Sequence, residues 1–325
     1  MNTQLKTIQI KKKQLDQYKP YPKTFRSNME EWYKIELTYT SNAIEGNTLT
    51  RQETALVVEK GITVEGKSIT EHLEAINHAH AFEYIQSLPL KSTYEISEKI
   101  VRDIHAIILR NIDTMNAGIY RNVPVRIAGS SVVLPNLFKV PELMETFMKE
   151  LRNSKSGAVE TALDAHFRLV SIHPFADGNG RTARLLMNLI LMVGGYPPAI
   201  IRKEDRSRYI NSIEKGQLTG NMSEYNSFML KAVERSLNTY LETLSPKDTG
   251  EKVKSNLFKI GQLAQATHET VATIRFWTKE SLLKVAEYSP GGYQLYTKET
   301  VDRIKKLRTL QKEKRLTIEE LKKIK

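Results

Sequence analysis

The 325-residue sequence predicts an all-α protein that contains one short β-hairpin and continues into a small C-terminal domain. Three observations predict this class. Apolar residues recur at helical spacing through most of the first 244 residues. One stretch, residues 120–134, alternates instead. After a polar stretch at residues 245–256, short helical patterns and short strand patterns follow each other, which indicates a second domain.

The helices are predicted from caps and apolar periodicity. Ser27 and Glu30 have the spacing of an N-terminal capping box, and Gly46 is placed to end the same helix. Pro174 ends a later helix, because the residue before a proline is pushed out of helical geometry. The predicted helices before residue 245 are 28–46, 51–59, 69–86, 97–110, 140–153, 161–172, 181–193 and 223–244.

Residues 120–134 are the exception to the helical pattern. Val123, Val125 and Ile127 alternate, residues 128–131 form a turn, and residues 132–134 can return as a second strand. Pro124 within the first strand has no N–H to donate, which favours an exposed edge. The pattern predicts a β-hairpin that either covers the core or offers its edge to another chain.

Residues 173–184, His-Pro-Phe-Ala-Asp-Gly-Asn-Gly-Arg-Thr-Ala-Arg, concentrate groups that phosphoryl chemistry needs. The Gly-Asn-Gly at residues 178–180 can turn backbone N–H groups inward as an anion-binding nest at the start of the following helix. Arg181 and Arg184 are three residues apart, and therefore lie on one face of that helix. Two guanidinium groups placed in this way suit neighbouring phosphates.

Two further side chains of this segment indicate catalysis. Asp177 lies beside the nest, where a phosphate-bound Mg²⁺ usually takes one or two protein carboxylates, and His173 suits proton abstraction near neutral pH. Taken one at a time, the same residues could also be a turn and a histidine with a structural role only. An EF-hand is excluded, because Phe175 and Leu186 would be its first and last ligands. The dinucleotide fingerprint G-x-G-x-x-A also fits residues 178–183, but a helix rather than a strand precedes it.

The whole segment matches the Fic-family signature, H-x-F-x-[DE]-G-N-G-R-x-x-R, at every defined position, and the chain resembles that family over about residues 32–240. The resemblance implies an enzyme that moves AMP from ATP to a Ser, Thr or Tyr hydroxyl of a target protein, with Mg²⁺. It implies that His173 deprotonates the hydroxyl, that Asp177 holds the metal ion, and that Arg181 and Arg184 bind the β- and γ-phosphates. The implied ATP-binding residues of the segment are Asp177, Gly178, Asn179, Gly180, Arg181, Thr182 and Arg184.

The same resemblance makes the hairpin a flap over the nucleotide, which adds Gly129 and Ser130 to the ATP-binding residues. Its exposed edge would hold the target segment by β-augmentation. Tyr209, on the helix after the two prolines at residues 197–198, is a candidate wall for the adenine, although a core tyrosine explains it equally well. Transfer from another nucleotide and removal of AMP by the same site stay open as alternatives.

A second motif, Thr-Ser-Asn-Ala-Ile-Glu-Gly-Asn at residues 40–47, resembles the inhibitory motif [ST]-x-x-x-E-[GN] of Fic proteins. Read alone, Ser41 and Glu45 are a surface pair near a helix end, where a glutamate is mildly unfavourable. Beside the first motif, the resemblance implies that Glu45 pairs with Arg184 in place of the γ-phosphate. ATP would then bind in an unproductive pose, since transfer depends on in-line geometry.

The last quarter of the chain resembles the winged helix-turn-helix of MerR-type regulators, over about residues 259–324. Predicted helices at 260–264 and 271–279, a loop at 289–296 between short strands, and helices from 298 and at 317–320 fit that fold. The resemblance implies that Thr273 and Arg275 contact DNA. The shared positions are Ile260, Leu263, Ala264, Thr273, Ile274, Arg275, Phe276, Leu282, Leu283, Gly292, Tyr293, Leu295 and Tyr296.

Two departures from that family weaken the inference of DNA binding. Gln294 stands where the wing usually has arginine, and Ser281 replaces a glycine. The chain also ends without the long helix by which those regulators dimerise. A protein-docking module and a DNA-binding regulator that senses nucleotide through its Fic part therefore stay open, although an intact His173 favours catalysis.

Composition and charge predict the kind of partner and the location of the protein. The net charge is +12, and residues 251–325 carry 17 Lys and Arg against 9 Asp and Glu, which suggests an acidic partner such as DNA. No cysteine, no apolar leader and no membrane-length apolar run predict a cytoplasmic protein without membrane attachment. A homodimer stays open. The predicted domains are an N-terminal helical region (1–94), a Fic core (95–244), a linker (245–256) and the winged helix-turn-helix (257–325).

Overall fold

The computed structural model describes residues 2–244, 257–267, 269–288, 294–314 and 320–321. The chain divides into two units, Met1–Pro246 and Lys247–Lys325, each with its own hydrophobic core. The linker predicted at residues 245–256 lies outside the described residues. The core of the first unit draws on both predicted ranges, 1–94 and 95–244, so the boundary between them stays a prediction.

Ten α-helices form the described part of the first unit. Three 3₁₀ turns, at residues 93–95, 137–139 and 203–205, lie between them. The helices are α1 (Asn2–Asp16), α2 (Lys23–Ile44), α3 (Arg51–Lys60), α4 (Ile69–Ser87), α5 (Glu98–Ile108), α6 (Val140–Arg152), α7 (Ala158–Ile172), α8 (Asn179–Val193), α9 (Arg206–Thr219) and α10 (Ser223–Leu244). The prediction of a mainly helical first domain is confirmed.

Helix α8 lies at the centre of the first unit. It is apolar on nearly every face, and its residues from Asn179 to Leu191 are buried except Gly180. A helix that is apolar all round needs neighbours on every side. Helices α2, α4, α5 and α7 all pack against it. The N-terminus of α8 therefore opens into a region that several helices border.

Helix α1 was not predicted, and α2 begins earlier than predicted. The first 16 residues contain few apolar side chains, but Ile8 and Leu15 are fully buried as α1 packs on α10. Helix α2 begins directly after Pro22, and the predicted capping box of Ser27 and Glu30 lies inside the helix. Proline is tolerated at a helix start, so it determines the boundary here. The predicted box was wrong.

The predicted hairpin at residues 120–134 is an extended segment with a turn, and the structure assigns no strand to any of these residues. The backbone hydrogen bond within it runs from Ser130 N to Ile127 O at 3.1 Å, across the turn. Side chains of other elements hold the segment instead: Arg121 donates to Pro135 O at 2.6 Å, and Glu214 accepts from Ser130. The prediction of paired strands was wrong. An alternating pattern of apolar residues indicates which side chains are buried, but it does not show that the backbone pairs with another strand.

The described part of the second unit contains α11 (Ile260–Thr267), α12 (Val271–Lys279) and α13 (Lys298–Lys314). Strands β1 (Leu257–Lys259), β2 (Glu287–Tyr288) and β3 (Gln294–Thr297) form an antiparallel sheet in the order β1-β3-β2. Leu257 pairs with Thr297, and Glu287 pairs with Leu295. The core includes Trp277, over which Arg308 stacks while it pairs with Glu269. The helix-turn-helix pair and the strands of the wing are as predicted.

Both departures from the MerR pattern have a visible local role. Ser281 has a φ of 59°, a left-handed conformation that favours the glycine usual at this position. Gln294 accepts a hydrogen bond from the Tyr296 hydroxyl at 2.8 Å, so its side chain is engaged within the unit. The wing loop at residues 289–293 and most of the helix predicted at 317–320 lie outside the described residues.

No helix among the described residues is long and apolar enough to cross a membrane.

Candidate active site

His173 caps the C-terminus of α7 in a left-handed conformation, with φ at 51°. This geometry turns the chain sharply into the loop that leads to α8. Arg121 holds the turn, because its Nε donates to the His173 carbonyl at 2.9 Å. The imidazole Nδ1 lies 3.3 Å from the Val170 carbonyl, which can only accept, so Nδ1 carries the proton and Nε2 is left as a base.

Burial lowers the pKa of His173 below its ordinary value of 6.5. The Val170 carbonyl opposes this shift, as do the carboxylates of Glu45 and Asp177, while Arg121 adds to it. The net direction keeps the ring neutral at physiological pH, which is the state that can accept a proton.

The loop between α7 and α8 is shaped by buried side chains. Asn179 Oδ1 accepts from the Phe175 N–H, and Asn179 Nδ2 donates to the Phe175 carbonyl, both at 2.9 Å. The ring of His105 stacks on Phe175 with centroids 3.6 Å apart. The Asn179 amide therefore fixes the loop, and the contribution that Asn179 can make to a bound anion comes from its backbone N–H.

His105 was not predicted as a site residue. Its Nδ1 accepts from the Gly118 N–H at 2.9 Å, so its Nε2 carries the proton that bonds the Asp177 carbonyl at 2.9 Å. Burial lowers its pKa to about 4, which keeps this arrangement neutral. Gly178 needs its missing Cβ here, since it has a φ of 73° and a Cβ would come within 3.3 Å of the His105 ring.

The N-terminus of α8 offers donors for an anion. Thr182 N donates to the Gly178 carbonyl at 3.0 Å as the first bond of the helix. The preceding N–H groups, of Asn179, Gly180 and Arg181, consequently have no carbonyl partner within the helix. The Thr182 hydroxyl is buried and donates to Gly178 O at 2.9 Å. Thr182 therefore stabilises the helix start, and its contact with ATP stays a prediction.

Arg181 lies between two carboxylates. Its Nη1 donates to Glu74 Oε1 at 2.8 Å and its Nη2 to Asp177 Oδ2 at 3.2 Å. The Arg181 side chain is 4% exposed, whereas that of Asp177 is 72% exposed. The Arg181 guanidinium therefore has both of its terminal nitrogens bonded to carboxylates. Of these groups, the Asp177 carboxylate is the one that faces solvent. Glu74, like His105, had no signal in the local sequence.

Arg184 binds the C-terminal turn of α2. Its Nη2 donates to Glu45 Oε1 at 2.6 Å and to the Ser41 carbonyl at 2.9 Å, and its Nε donates to Ser41 Oγ at 2.9 Å. The structure brings the two predicted motifs together at this pair. Gly180 lies directly beneath the carboxylate, because a Cβ there would collide with Glu45 Oε1. The carboxylate therefore lies over the N-terminus of α8.

The turn that carries Glu45 is fastened from two sides. Asn47 Nδ2 donates to Glu74 Oε2 at 2.8 Å and to the Glu71 carbonyl at 3.0 Å, which ties the turn to α4. From α9, Arg206 Nε donates to the Ile44 carbonyl at 2.6 Å. These contacts come from helices distant in sequence, so only the packing reveals them.

Tyr209 is a core residue, which is the alternative that the sequence left open, and its contact with the adenine stays a prediction. It is 1% exposed, and its hydroxyl lies 2.7 Å from His166 Nε2, while the Tyr225 hydroxyl lies 2.8 Å from His166 Nδ1. Burial lowers the pKa of His166 to about 3, so the ring is a neutral link between two tyrosines. Tyr209 also bonds Arg184, which gives it a supporting role beneath the arginine.

Gly129 and Ser130 lie at the turn of the extended segment. Gly129 has a φ of 76°, and Ser130 Oγ donates to Glu214 Oε1 at 2.7 Å. The Ser131 N–H donates to the same oxygen at 3.1 Å. Glu214, on α9, therefore sets the position of the turn, and no described contact joins Gly129 or Ser130 to residues 173–184.

The predicted DNA contacts lie on α12 of the second unit. Thr270 caps this helix, since its Oγ1 accepts from the Thr273 N–H at 3.0 Å. The hydroxyls of the two threonines also lie 2.8 Å apart, so Thr273 is engaged with the cap. Arg275 is exposed beside the exposed Phe276. Of the two predicted residues, Arg275 is the better placed to contact another molecule.

Comparisons with known proteins agree with this geometry. Residues 95–191 match the family model of the Fic/DOC family, and residues 258–325 match that of the MerR HTH family of regulatory proteins. The protein adenylyltransferase Fic of Drosophila persimilis is 34% identical over 261 residues, 79% of this chain and 50% of that protein. That of Nematostella vectensis is 38% identical over 206 residues, 62% of this chain and 48% of that protein. The chain thus spans about half the length of these curated relatives.

Solved structures show the same likeness. Fic-1 from C. elegans has a TM-score of 0.68 at 31% identity, over 75% of this chain and 72% of that chain. A Fic domain containing signaling protein from Bacteroides thetaiotaomicron has a TM-score of 0.66 at 27% identity, over 74% of this chain and 97% of that chain. With its signature at the start of α8 and this likeness over most of its length, the chain belongs to the Fic family.

Proposed function

We propose that this protein transfers AMP from ATP to a hydroxyl side chain of a target protein and that Glu45 inhibits the transfer. The observation that carries the proposal is the Arg184–Glu45 pair, in which a carboxylate oxygen lies 2.6 Å from a buried guanidinium at the N-terminus of α8. A phosphate oxygen would make the same charge-assisted bond there. The name of the curated relatives, protein adenylyltransferase, fits this chemistry.

In the proposed reaction, His173 acts as the general base. Its Nε2 accepts the proton of the target hydroxyl while the hydroxyl oxygen attacks the α-phosphorus of ATP. A new phosphorus–oxygen bond forms, the bond to the bridging oxygen of the β-phosphate breaks, and pyrophosphate leaves. Arg121 and the Val170 carbonyl support this role because they fix the turn and the tautomer of His173.

The phosphates would be held by the start of α8. The N–H groups of residues 179–181 and the helix dipole attract the negative charge, and Arg184 would take the γ-phosphate after Glu45 leaves. Arg181 would act mainly through its backbone N–H and through Asp177, since Glu74 and Asp177 occupy its guanidinium. Transfer then depends on how well these donors align the α-phosphate with His173.

Asp177 fits a Mg²⁺ ion that arrives with ATP. Its carboxylate is 72% exposed beside the helix N-terminus, and a phosphate-bound Mg²⁺ needs only one or two protein carboxylates. Among the described residues no group of three or more acidic, His or Cys side chains is arranged as a metal site. When bound, the ion would neutralise charge on the phosphates.

Inhibition by Glu45 would act on rate more than on affinity. The carboxylate covers Gly180 and holds Arg184, so the γ-phosphate finds its ligand occupied. ATP could bind with its phosphates displaced, and a small displacement of reacting atoms costs much of the rate. The inhibitory contact lies within one chain, so the turn at residues 45–47 would have to move to release it.

The direct test is labelling. Cell lysate would be incubated with ATP labelled at the α-phosphate and with either the natural protein or its Glu45→Gly variant. The proposal expects labelled target bands, or labelling of the protein itself, with the variant. ATP labelled at the γ-phosphate should give no label beyond that of the lysate alone, because the β- and γ-phosphates leave together. The same bands labelled from the γ-phosphate only when the variant is added would contradict AMP transfer.

The pH dependence of transfer should report His173. Burial lowers its pKa below 6.5, so the neutral base is already present at pH 7, and kcat/KM should be flat between about pH 7 and pH 8. The rate should fall only at lower pH, as the ring gains its proton. The measurement is the kcat/KM profile of the Glu45→Gly protein. An acid limb centred above pH 7 would contradict this assignment.

Removal of AMP is a second candidate for the same site. Glu45 is close enough to raise the pKa of His173, and its side chain is 36% exposed. A carboxylate placed in this way could orient a water molecule toward an AMP–protein bond. Incubation of a labelled target with the natural protein and with the Glu45→Gly variant separates the two activities, since only the natural protein would release AMP.

For the second unit we propose DNA binding, carried by exposed Arg275 on α12 and by the basic charge of residues 251–325. Affinity should fall steeply with salt, because each neutralised phosphate releases counterions. Arg275→Ala should cost about 1–3 kcal/mol if Arg275 reads a base. The measurement is anisotropy titration of the full chain on genomic and random fragments at two salt concentrations. Binding without sequence preference and unchanged by Arg275→Ala would favour a protein-docking module.

The partners and location follow from the same proposal. The target is a protein with an accessible hydroxyl side chain, and the nucleotide is ATP with Mg²⁺. A chain without cysteine that uses ATP suits the cytoplasm. DNA sites with two half-sites would need a homodimer.

A further inference from the structure

Glu74, on α4, joins two parts of the site. Its Oε1 accepts a hydrogen bond from Arg181 Nη1 at 2.8 Å, and its Oε2 accepts one from Asn47 Nδ2 at 2.8 Å. Arg181 Nη2 in turn donates to Asp177 Oδ2 at 3.2 Å. A continuous chain of hydrogen bonds therefore runs from the turn that follows Glu45 to the exposed carboxylate of Asp177.

Charge balance links the two carboxylates at the centre of this chain. The Arg181 side chain is 4% exposed, and its Nε has no hydrogen-bond partner among the described residues. Its charge is therefore shared between Glu74 and Asp177. A cation bound at Asp177 competes with Arg181 for that carboxylate, so the guanidinium then depends more on Glu74, because a buried charge needs its partner.

The other end of this chain of hydrogen bonds is Asn47, two residues beyond Glu45. Asn47 divides its Nδ2 between Glu74 Oε2 and the Glu71 carbonyl, and its N–H donates to Asn42 O at 3.1 Å. Its Oδ1 accepts from the Leu49 N–H at 3.0 Å. Because Asn47 is central to the turn, a shift of the Glu74 carboxylate toward Arg181 would loosen the backbone that carries the inhibitory group.

We propose that Glu74 is a positioning residue that couples the binding of Mg²⁺–ATP at Asp177 to loosening of the turn at residues 45–47. The proposal rests on the proposed function, since it assumes nucleotide at the start of α8. Glu74 does not touch the reacting atoms, and it acts through Arg181 on one side and Asn47 on the other. The nucleotide complex thereby weakens the contact that inhibits its own use.

The test is amide hydrogen exchange of peptides that cover residues 42–49, in the His173→Ala protein so that no AMP is transferred. Glu45 N and Gly46 N are hydrogen-bonded to Asn42 O and Ala43 O, so their exchange is slow while the turn is closed. ATP with Mg²⁺ should speed this exchange about fivefold or more relative to ATP with a chelator, as expected for coupled sites. Glu74→Gln should abolish the difference between the two conditions.

Glu71→Gln is the matched control. Glu71 lies one turn earlier on α4 and holds the same segment, since its Oε1 accepts from Thr48 N at 2.8 Å and from Thr48 Oγ1 at 2.6 Å. It has no described contact with Arg181. Glu71→Gln should therefore speed exchange in both conditions and keep the Mg²⁺-dependent difference.

Two outcomes would overturn the coupling. The first is an undiminished Mg²⁺ effect in Glu74→Gln, and the second is an equal loss of the effect in Glu71→Gln, which would indicate general packing of α4. Thermal melting checks that the variants fold. If Glu74→Gln does not fold, Asn47→Ala breaks the hydrogen-bond chain at its other end. Failure of the parent protein to bind ATP contradicts the proposed function instead, whereas ATP binding without any change in exchange contradicts only the coupling.

Discussion

Replacement of His173 by alanine in the Glu45→Gly protein should lower AMP transfer about 10²–10⁴-fold, the usual contribution of a general base. ATP affinity should change little, because the proposed phosphate donors are the N-terminus of α8 and Arg184. The loss should therefore fall on kcat rather than on the dissociation constant of ATP. Transfer of the α-phosphate label, together with a separate ATP-binding titration, measures both quantities.

Two variants serve as controls for this loss. His80, exposed on α4, can be changed to alanine without effect on transfer, which shows that the loss is specific to His173. Arg121→Ala should lower transfer less than His173→Ala, because it removes the support of the turn but keeps the base. Retained transfer in the His173→Ala protein would remove the proposed mechanism.

The geometry of residues 173–184 could be predicted because most of it is local in sequence. Residues 173–184 form one loop and one helix start, and the left-handed His173, the first N–H groups of α8 and exposed Asp177 all lie within it. The spacing of residues there translates directly into geometry. Thr182 shows what spacing leaves out, since its buried hydroxyl donates to the Gly178 carbonyl within the helix.

The supporting residues could not be predicted from the sequence, because they come from other helices. Glu74, His105 and Arg206 each reach the site from a different element, and each makes its contact only after the helices have packed around α8. No local pattern marks these side chains. A histidine that bonds one carbonyl or a glutamate that bonds one arginine is common on helices, so its partner decides its role.

The pairing of Glu45 with Arg184 was anticipated only through the family resemblance. The two residues are 139 positions apart, and neither the charge nor the spacing of either motif identifies the other. The prediction of a hairpin at residues 120–134 was wrong for a related reason. Its alternation is real, but strand pairing needs backbone partners, and Arg121 and Glu214 hold the segment through side chains instead.

Replacement of Glu45 by glycine should raise AMP transfer about 10- to 100-fold, the factor that corresponds to one charge-assisted hydrogen bond of about 1.5–3 kcal/mol. The reason is that Arg184 loses the carboxylate that lies 2.6 Å away and becomes available to the γ-phosphate. ATP affinity should rise much less than the rate, because the inhibited protein still offers the N–H groups of α8. The measurement is label transfer from α-labelled ATP under saturating nucleotide.

The Glu45→Gly change also predicts which reactions should not occur. ADP should not become a donor, since the contact that is gained is to the γ-phosphate. Glu45→Gly should not rescue Arg184→Ala, because the phosphate ligand itself is then missing. Ser41→Ala is the matched control: Ser41 Oγ accepts from Arg184 Nε at 2.9 Å but carries no charge, so its loss should activate transfer far less. Equal rates for the natural protein and the Glu45→Gly variant would show that the turn after α2 only ends a helix.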